Sequence, residues 1–205
     1  FAFLEARYEI DVASVAGGKV PVDPYSDPLN PKGINGNDLV SRGFLSVPAH
    51  AEKLEKSLRL ADVDPSKYAA VVFAGGNGAI FDFADSPDVA RVGQALWDGG
   101  KVVAALCHGS AALVGLKDQG APLVKGRRVT GFTNEEEQIA QARIVGKDGK
   151  AYLPFLLEDR LRSLGANWQE TGPFRPMAVA DGRLVTGQQN LSGLETARLV
   201  HRLPH

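Results

Sequence analysis

Lys101-Val-Val-Ala-Ala-Leu-Cys107-His108-Gly109-Ser-Ala-Ala-Leu113 is the stretch on which the fold turns. Its first half is apolar without alternation, as in a parallel strand covered on both faces. Its second half passes at once into small residues that can open a helix. Strand, candidate nucleophile and helix in direct succession is the order of a nucleophile elbow, which forces the central side chain out at the carboxyl edge of a sheet. Strand and helix approach closely in such a turn, so small neighbours are required. Ala105 and Gly109 stand two residues to either side of Cys107.

Outward from this stretch, short β-branched runs alternate with longer amphipathic ones, the rhythm of βα units around a parallel sheet. Strands are predicted over Glu9–Ser14, Ala69–Ala74, Lys101–Leu106 and Arg128–Gly131, and a hairpin pairs Met177–Val179 with Leu184–Thr186 across Asp181-Gly182. Ser86-Pro87-Asp88 opens a helix with Val89, Val92 and Leu96 on one face, and Gly99-Gly100 closes it. A stripe of Leu153, Leu157, Leu161 and Leu164 predicts a helix stopped by Gly165, and a last helix starts near Gly193. Residues 17–46, rich in proline, glycine, asparagine and aspartate, read as a long ordered loop, with a surface helix carrying His50 beginning near Ser46. The expectation is one domain over residues 1–205.

Composition narrows the function. Among 205 residues, 23 basic side chains face 24 acidic ones, a net charge of -1, which argues against a polyanion-seeking or acidic disordered protein. With 44% hydrophobic and 23% charged residues the chain can build an ordinary core. No apolar run approaches the roughly 20 residues of a membrane helix, and no secretory start is visible. A cytoplasmic protein with neither membrane nor nucleic-acid partner is expected. The short basic cluster of Lys125, Arg127 and Arg128 reads as a solvated turn. One cysteine can form neither an internal disulfide nor a zinc site of several thiolates; no metal or cofactor is expected.

The candidate chemistry centres on that thiol. A lone free cysteine is most often an inert buried side chain, but the elbow and the adjacent histidine reverse that reading. His108 titrates near neutrality and can serve as a base; its plainer role is a helix-start residue bonded to backbone. A third group is needed to orient it. Glu135-Glu136-Glu137 follows another strand end, and such a run is usually a solvated face complementing a helix dipole, with room for one carboxylate to turn inward. After Val71-Val-Phe-Ala comes Gly75-Gly-Asn-Gly-Ala79, whose backbone N–H groups could form an oxyanion hole. That loop lacks the third glycine of a dinucleotide fingerprint and the lysine of a P-loop. Trp97 and Trp168 read as packing anchors.

Several segments together resemble the ThiJ/PfpI superfamily: Asp11-Val-Ala-Ser-Val-Ala-Gly-Gly-Lys-Val-Pro-Val-Asp-Pro, Val72-Phe-Ala-Gly-Gly-Asn-Gly, Ala105-Leu-Cys-His-Gly, Val129-Thr-Gly-Phe-Thr-Asn-Glu-Glu-Glu and Asp181-Gly-Arg-Leu-Val-Thr-Gly-Gln-Gln-Asn. The resemblance implies the α/β class I glutamine amidotransferase fold, a flavodoxin-like three-layer sandwich with a mostly parallel central sheet. It is strongest to the branch of heat-shock chaperones that are also glutathione-independent glyoxalases. That branch implies a triad of Cys107, His108 and Glu137, with Glu136 as the alternative, and oxygen-binding N–H groups at Gly76 and Asn77. It further implies a small carbonyl substrate and a homodimer. The same thiol would serve a PfpI-type amidase or peptidase, or a chaperone or thiol stress sensor without turnover. Two departures stand out. Asn77 occupies a position where the family usually has histidine. The family's glutamate against the nucleophile lies upstream of Phe3-Leu-Glu-Ala-Arg-Tyr, so Glu5 is no substitute and a longer natural chain is expected.

Overall fold

Residues 1–24, 26–141 and 153–204 are described by the structure, a computed structural model. They fall into two units, Phe1–Val63 and Asp64–His205. The first holds α1 (Ala2–Glu5), β1 (Ala13–Ser14), α2 (Leu39–Leu45), α3 (Pro48–Glu55) and β2 (Leu58–Arg59). The strand expected over Glu9–Ser14 is shorter, because its parallel ladder with β2 covers only Ala13 opposite Leu58 and Ser14 opposite Arg59. The proline- and glycine-rich stretch is a loop tied by its own side chains, with Leu29 N donating to Asp27 Oδ1 at 2.8 Å and Lys32 N to Asn30 Oδ1 at 3.1 Å. It ends earlier than expected. Asp38 accepts from Val40 N at 3.0 Å and caps α2 inside the stretch read as loop. His50 lies on α3, half-buried and stacked on Phe44 at 5.0 Å.

The second unit runs β3 (Ala70–Phe73), α4 (Asn77–Asp82), α5 (Pro87–Asp98), β4 (Val102–Leu106), a 3-10 segment Cys107–Gly115, β5 (Lys117–Asp118), β6 (Ala121–Pro122), β7 (Arg128–Val129), α6 (Asn134–Gln141), α7 (Leu157–Ser163), β8 (Asn167–Trp168), β9 (Ala178–Asp181), β10 (Leu184–Gly187) and α8 (Gly193–Arg202). The sheet order is β3-β4-β10-β9, parallel except for the β9–β10 hairpin. This is the expected α/β, flavodoxin-like arrangement.

Register shows how the sheet is covered. Phe73 stands opposite Ala105 and Gly187 opposite Leu106, and consecutive strand residues point to opposite faces. The Phe73 ring packs at Gly93 of α5, whereas a side chain at Gly187 would meet Thr196 of α8. Helices α5 and α8 therefore cover opposite faces, and Val102, Val103, Ala104 and Ala105 between them have no exposed surface. Burial of this kind is what an unbroken apolar strand encodes.

The ends of α5 were legible. Ser86 Oγ accepts from Val89 N at 3.3 Å with Pro87 in the first turn. At the other end, Lys101 N donates to Leu96 O and Gly100 N to Trp97 O, a Schellman closure that needs the left-handed φ of +75° at Gly100. Three other elements differ. The helix expected from Leu153 starts at Leu157, after Leu156, which stands as an extended N-cap residue at φ -83°, ψ 122°; Leu157 and Leu161 still form a fully buried stripe. The strand expected over Arg128–Gly131 ends at Val129, because the next amide, Thr130 N, donates to Thr186 Oγ1 at 2.8 Å. Arg127 is not a solvated turn residue. It pairs with Asp118 at 2.5 Å and lies 5.0 Å from the ring of Trp97, with Arg183 4.1 Å from the same ring.

Candidate active site

The strands β3, β4 and β10 are parallel, so their carboxyl ends share one edge of the sheet, where clefts of open α/β sheets form. Cys107 follows the last residue of β4 directly and takes a φ of +58°. The left-handed conformation costs a non-glycine residue about 1–2 kcal/mol and turns the chain sharply into the 3-10 segment. An α-helix was expected there; the tighter 3-10 segment runs Cys107–Gly115, with Cys107 through Leu113 all buried.

The close approach expected of strand and helix is met at two glycines. A Cβ at Gly109 would run into the carbonyl oxygens of Phe73 and Ala74. A Cβ at Gly75 would stand 2.6 Å from Cys107 Cβ and 3.2 Å from its sulfur. Gly75 is thus the loop residue that meets the thiol, a contact that sequence reading of the glycine cluster did not single out. Gly76, at φ +112°, and Asn77 open α4. Gly76 is exposed, and a Cβ there would meet nothing within 4 Å.

The thiol, the imidazole and one carboxylate come together. Cys107 Sγ lies 3.7 Å from His108 Nδ1, and His108 Nε2 lies 2.5 Å from Glu137 Oε1. Cys107 is 8% exposed, His108 2% and Glu137 1%, so the set is nearly sealed from water. Burial, the largest single influence on His108, disfavours its charged form. The hydrogen bonds and negative charge of Cys107 and Glu137 together outweigh it and raise its pKa to about 9. Phe132 covers the imidazole, its ring centroid 4.4 Å away at 36°.

Of the three consecutive glutamates two turn inward, not one. Glu135 is exposed and Glu137 faces His108. Glu136, with no exposed surface, faces elsewhere: Oε2 accepts from Thr133 N at 3.0 Å, and Oε1 accepts from Phe174 N at 2.8 Å and Gln188 Nε2 at 2.9 Å. Glu136 N in turn donates to Thr133 Oγ1 at 3.1 Å. This is a capping box at the start of α6, and the pattern Thr133-x-x-Glu136 that signals it was present in the sequence. The alternative of Glu136 as the partner of His108 is overturned geometrically. Phe132, Phe174 and Gln188 gave no comparable local signal, since their places depend on chain segments far apart. Among the described residues no group of three or more His, Cys, Asp or Glu is arranged to hold a metal ion.

Comparison with known proteins places nearly the whole chain in one family. The sequence profile of the DJ-1/PfpI family matches residues 2–201. The chain is 33% identical to "Glyoxalase 3" of Candida albicans over 95% of its own length and 81% of the relative's. It is 32% identical to the "Glutathione-independent glyoxalase HSP31" of Saccharomyces cerevisiae, again over 95% and 81%. Among solved structures, glyoxalase III from Candida albicans superposes with a TM-score of 0.82 at 31% identity, covering 98% of this chain and 82% of that one.

Proposed function

This chain belongs to the DJ-1/PfpI family, and we propose that it is a cysteine-dependent, glutathione-independent glyoxalase that converts methylglyoxal to lactate. The observation that carries the reading is the continuous contact from Cys107 Sγ through His108 to Glu137 Oε1, at 3.7 and 2.5 Å. A nucleophile, a base and a group that orients the base are the minimum for activating a thiol. The similarity to glyoxalases over 95% of the chain supports the choice of substrate.

In this reading Cys107 sits at a nucleophile elbow. His108 Nδ1 takes the thiol proton, and the thiolate attacks the aldehyde carbon, forming a C–S bond and an oxyanion. N–H groups of Gly76 and Asn77, first-turn donors without intrahelical acceptors, receive that oxygen. His108 passes the thiol proton to that oxygen and, neutral again, carries the hydrogen of the attacked carbon as a proton to the ketone oxygen, giving an enediol. The hydroxyl proton on the attacked carbon then moves through His108 to the neighbouring carbon. The product is a thioester of Cys107. Water cleaves its C–S bond, releasing lactate and restoring the thiol, so the sum is methylglyoxal plus water to lactic acid. Glu137 accepts from His108 Nε2–H and holds the ring so that Nδ1 faces sulfur.

The family match over residues 2–201 supports reading residues 1–205 as one domain. We further propose a cytoplasmic homodimer, in keeping with a thiol that must stay reduced, and chaperone activity alongside catalysis. The test is lactate formation by the full-length protein from methylglyoxal without glutathione, beside a Cys107→Ala control. Lactate that disappears in the control is the expected outcome. No lactate from folded, reduced protein would overturn the reading and move the weight to amide hydrolysis or a thiol sensor.

A further inference from the structure

Glu136 is a buried carboxylate that the proton path does not use. Burying such a charge is costly unless donors surround it, and among the described residues no cation pairs with Glu136. Its compensation is three neutral donors: Thr133 N, Phe174 N and Gln188 Nε2, at 3.0, 2.8 and 2.9 Å. Gln188 is held in its turn, with Thr171 N donating to its Oε1 at 2.9 Å.

These contacts close a ring around the imidazole. Glu136 precedes Glu137, which meets the edge of His108. On its other side Glu136 ties down Phe174, whose backbone has a φ of +54° and whose ring stands 6.1 Å from Phe132 at 67°. Phe132 lies over the face of the same imidazole and immediately precedes Thr133, the cap that Glu136 bonds. One carboxylate therefore joins the start of α6, which brings Glu137 to the edge of His108, to the 171–174 segment, whose Phe174 stands against the Phe132 ring that covers the imidazole's face.

We propose that Glu136 is a positioning residue, which fixes Glu137 against the edge of His108 and Phe132 against its face by bonding Thr133, Phe174 and Gln188 at once. The proposal rests on the assignment of His108 and Glu137 made above for the glyoxalase reaction. A carboxylate is required, and an amide is no replacement. Glutamine at this position offers one acceptor oxygen, and its NH2 group must face a donor on one side or the other. The misfit is relieved by movement of α6 or of the 171–174 segment, and a displacement of about 1 Å can cost on the order of 10²-fold in rate.

The experiment compares full-length parent, Glu136→Gln and Glu137→Gln by two readouts. One is kcat and KM for lactate formation from methylglyoxal. The other is the rate of Cys107 alkylation by iodoacetamide between pH 5 and pH 10, which reports on the thiol–imidazole pair whatever the substrate. For Glu136→Gln the expectation is a fall in kcat of about 10²-fold, with KM within about twofold, and an alkylation profile displaced in the same direction as that of Glu137→Gln. A structural role alone would lower the melting temperature and leave the profile in place. A folded Glu136→Gln protein with the parent's kcat and alkylation profile would overturn the proposal.

If Glu136→Gln does not fold, Gln188→Leu removes one donor and spares the cap. It should move the profile in the same direction by a smaller amount, and an unmoved profile would again overturn the proposal. If the parent itself makes no lactate, the glyoxalase reading fails, while the alkylation profiles still decide whether Glu136 positions His108.

Discussion

His108 Nε2 stands 2.5 Å from Glu137 Oε1, with both side chains almost wholly buried. A contact this short in so dry a setting ties the protonation of the imidazole to the carboxylate beside it, because little solvent screens the two. The edge contact also leaves His108 Nδ1 as the nitrogen directed at Cys107. The ring can then hold one proton for the carboxylate and exchange a second with sulfur.

Stability should depend on pH through this pair. The folded-state pKa of His108 is raised to about 9 from an ordinary 6.5. The unfolded chain therefore releases this proton before the folded one does. The stabilisation is fully present below pH 6.5 and is lost as pH rises through about 9. A shift of this size corresponds to a contribution on the order of 3 kcal/mol. Urea unfolding at pH 6 and pH 9.5 should show the parent losing an amount of this order and Glu137→Gln losing only part of it, because Cys107 still favours the charged imidazole. Parallel losses in the two proteins would mean that His108 is not held protonated by its partner.

The three consecutive glutamates should separate in activity. Glu135 is exposed, so Glu135→Gln should leave both lactate formation and Cys107 alkylation at the parent's rate. Glu137→Gln removes the charge that orients and stabilises the protonated ring, and should lower kcat by about 10²-fold or more. The comparison is steady-state lactate formation at neutral pH, with circular dichroism to verify folding. Equal rates for the two variants would remove Glu137 from the mechanism.

Much of this site was legible because its signals are local. The Val102–Leu106 strand running into Cys107 and His108 needs only neighbouring residues to be recognised, and so do the Ser86-Pro87 start and Gly99-Gly100 stop of α5. Strand and helix ends set by distant partners were not legible. Thr130 leaves its strand for a bond to Thr186, 56 residues away, and no short window contains both. Choosing between Glu136 and Glu137 fell between these cases. The capping pattern from Thr133 to Glu136 is local and commits the first carboxylate to backbone. That Phe174 and Gln188 complete its coordination is a property of the folded chain alone. At the glycine cluster the pattern marked the loop but not the residue, since contact between Gly75 and Cys107 depends on two parallel strands ending in register.

Strain at the thiol itself can be measured by comparing two inactive variants. Cys107 holds a φ of +58°, and any side chain with a Cβ meets the same steric penalty there. Cys107→Ala removes the sulfur and keeps that penalty. Cys107→Gly relieves it, at an entropic cost of about 0.4–1 kcal/mol from the freer unfolded chain. With about 1–2 kcal/mol of strain relieved, the glycine variant should be the more stable of the two by a net amount on the order of 1 kcal/mol. Ordinary positions give the reverse order, since glycine in place of alanine usually destabilises. Chemical denaturation of the two proteins at one pH decides between them. A glycine variant less stable than the alanine one would show that the backbone at position 107 relaxes to negative φ once the sulfur is gone, and that the turn is held by the thiol's contacts and not by the close approach of Gly75 and Gly109.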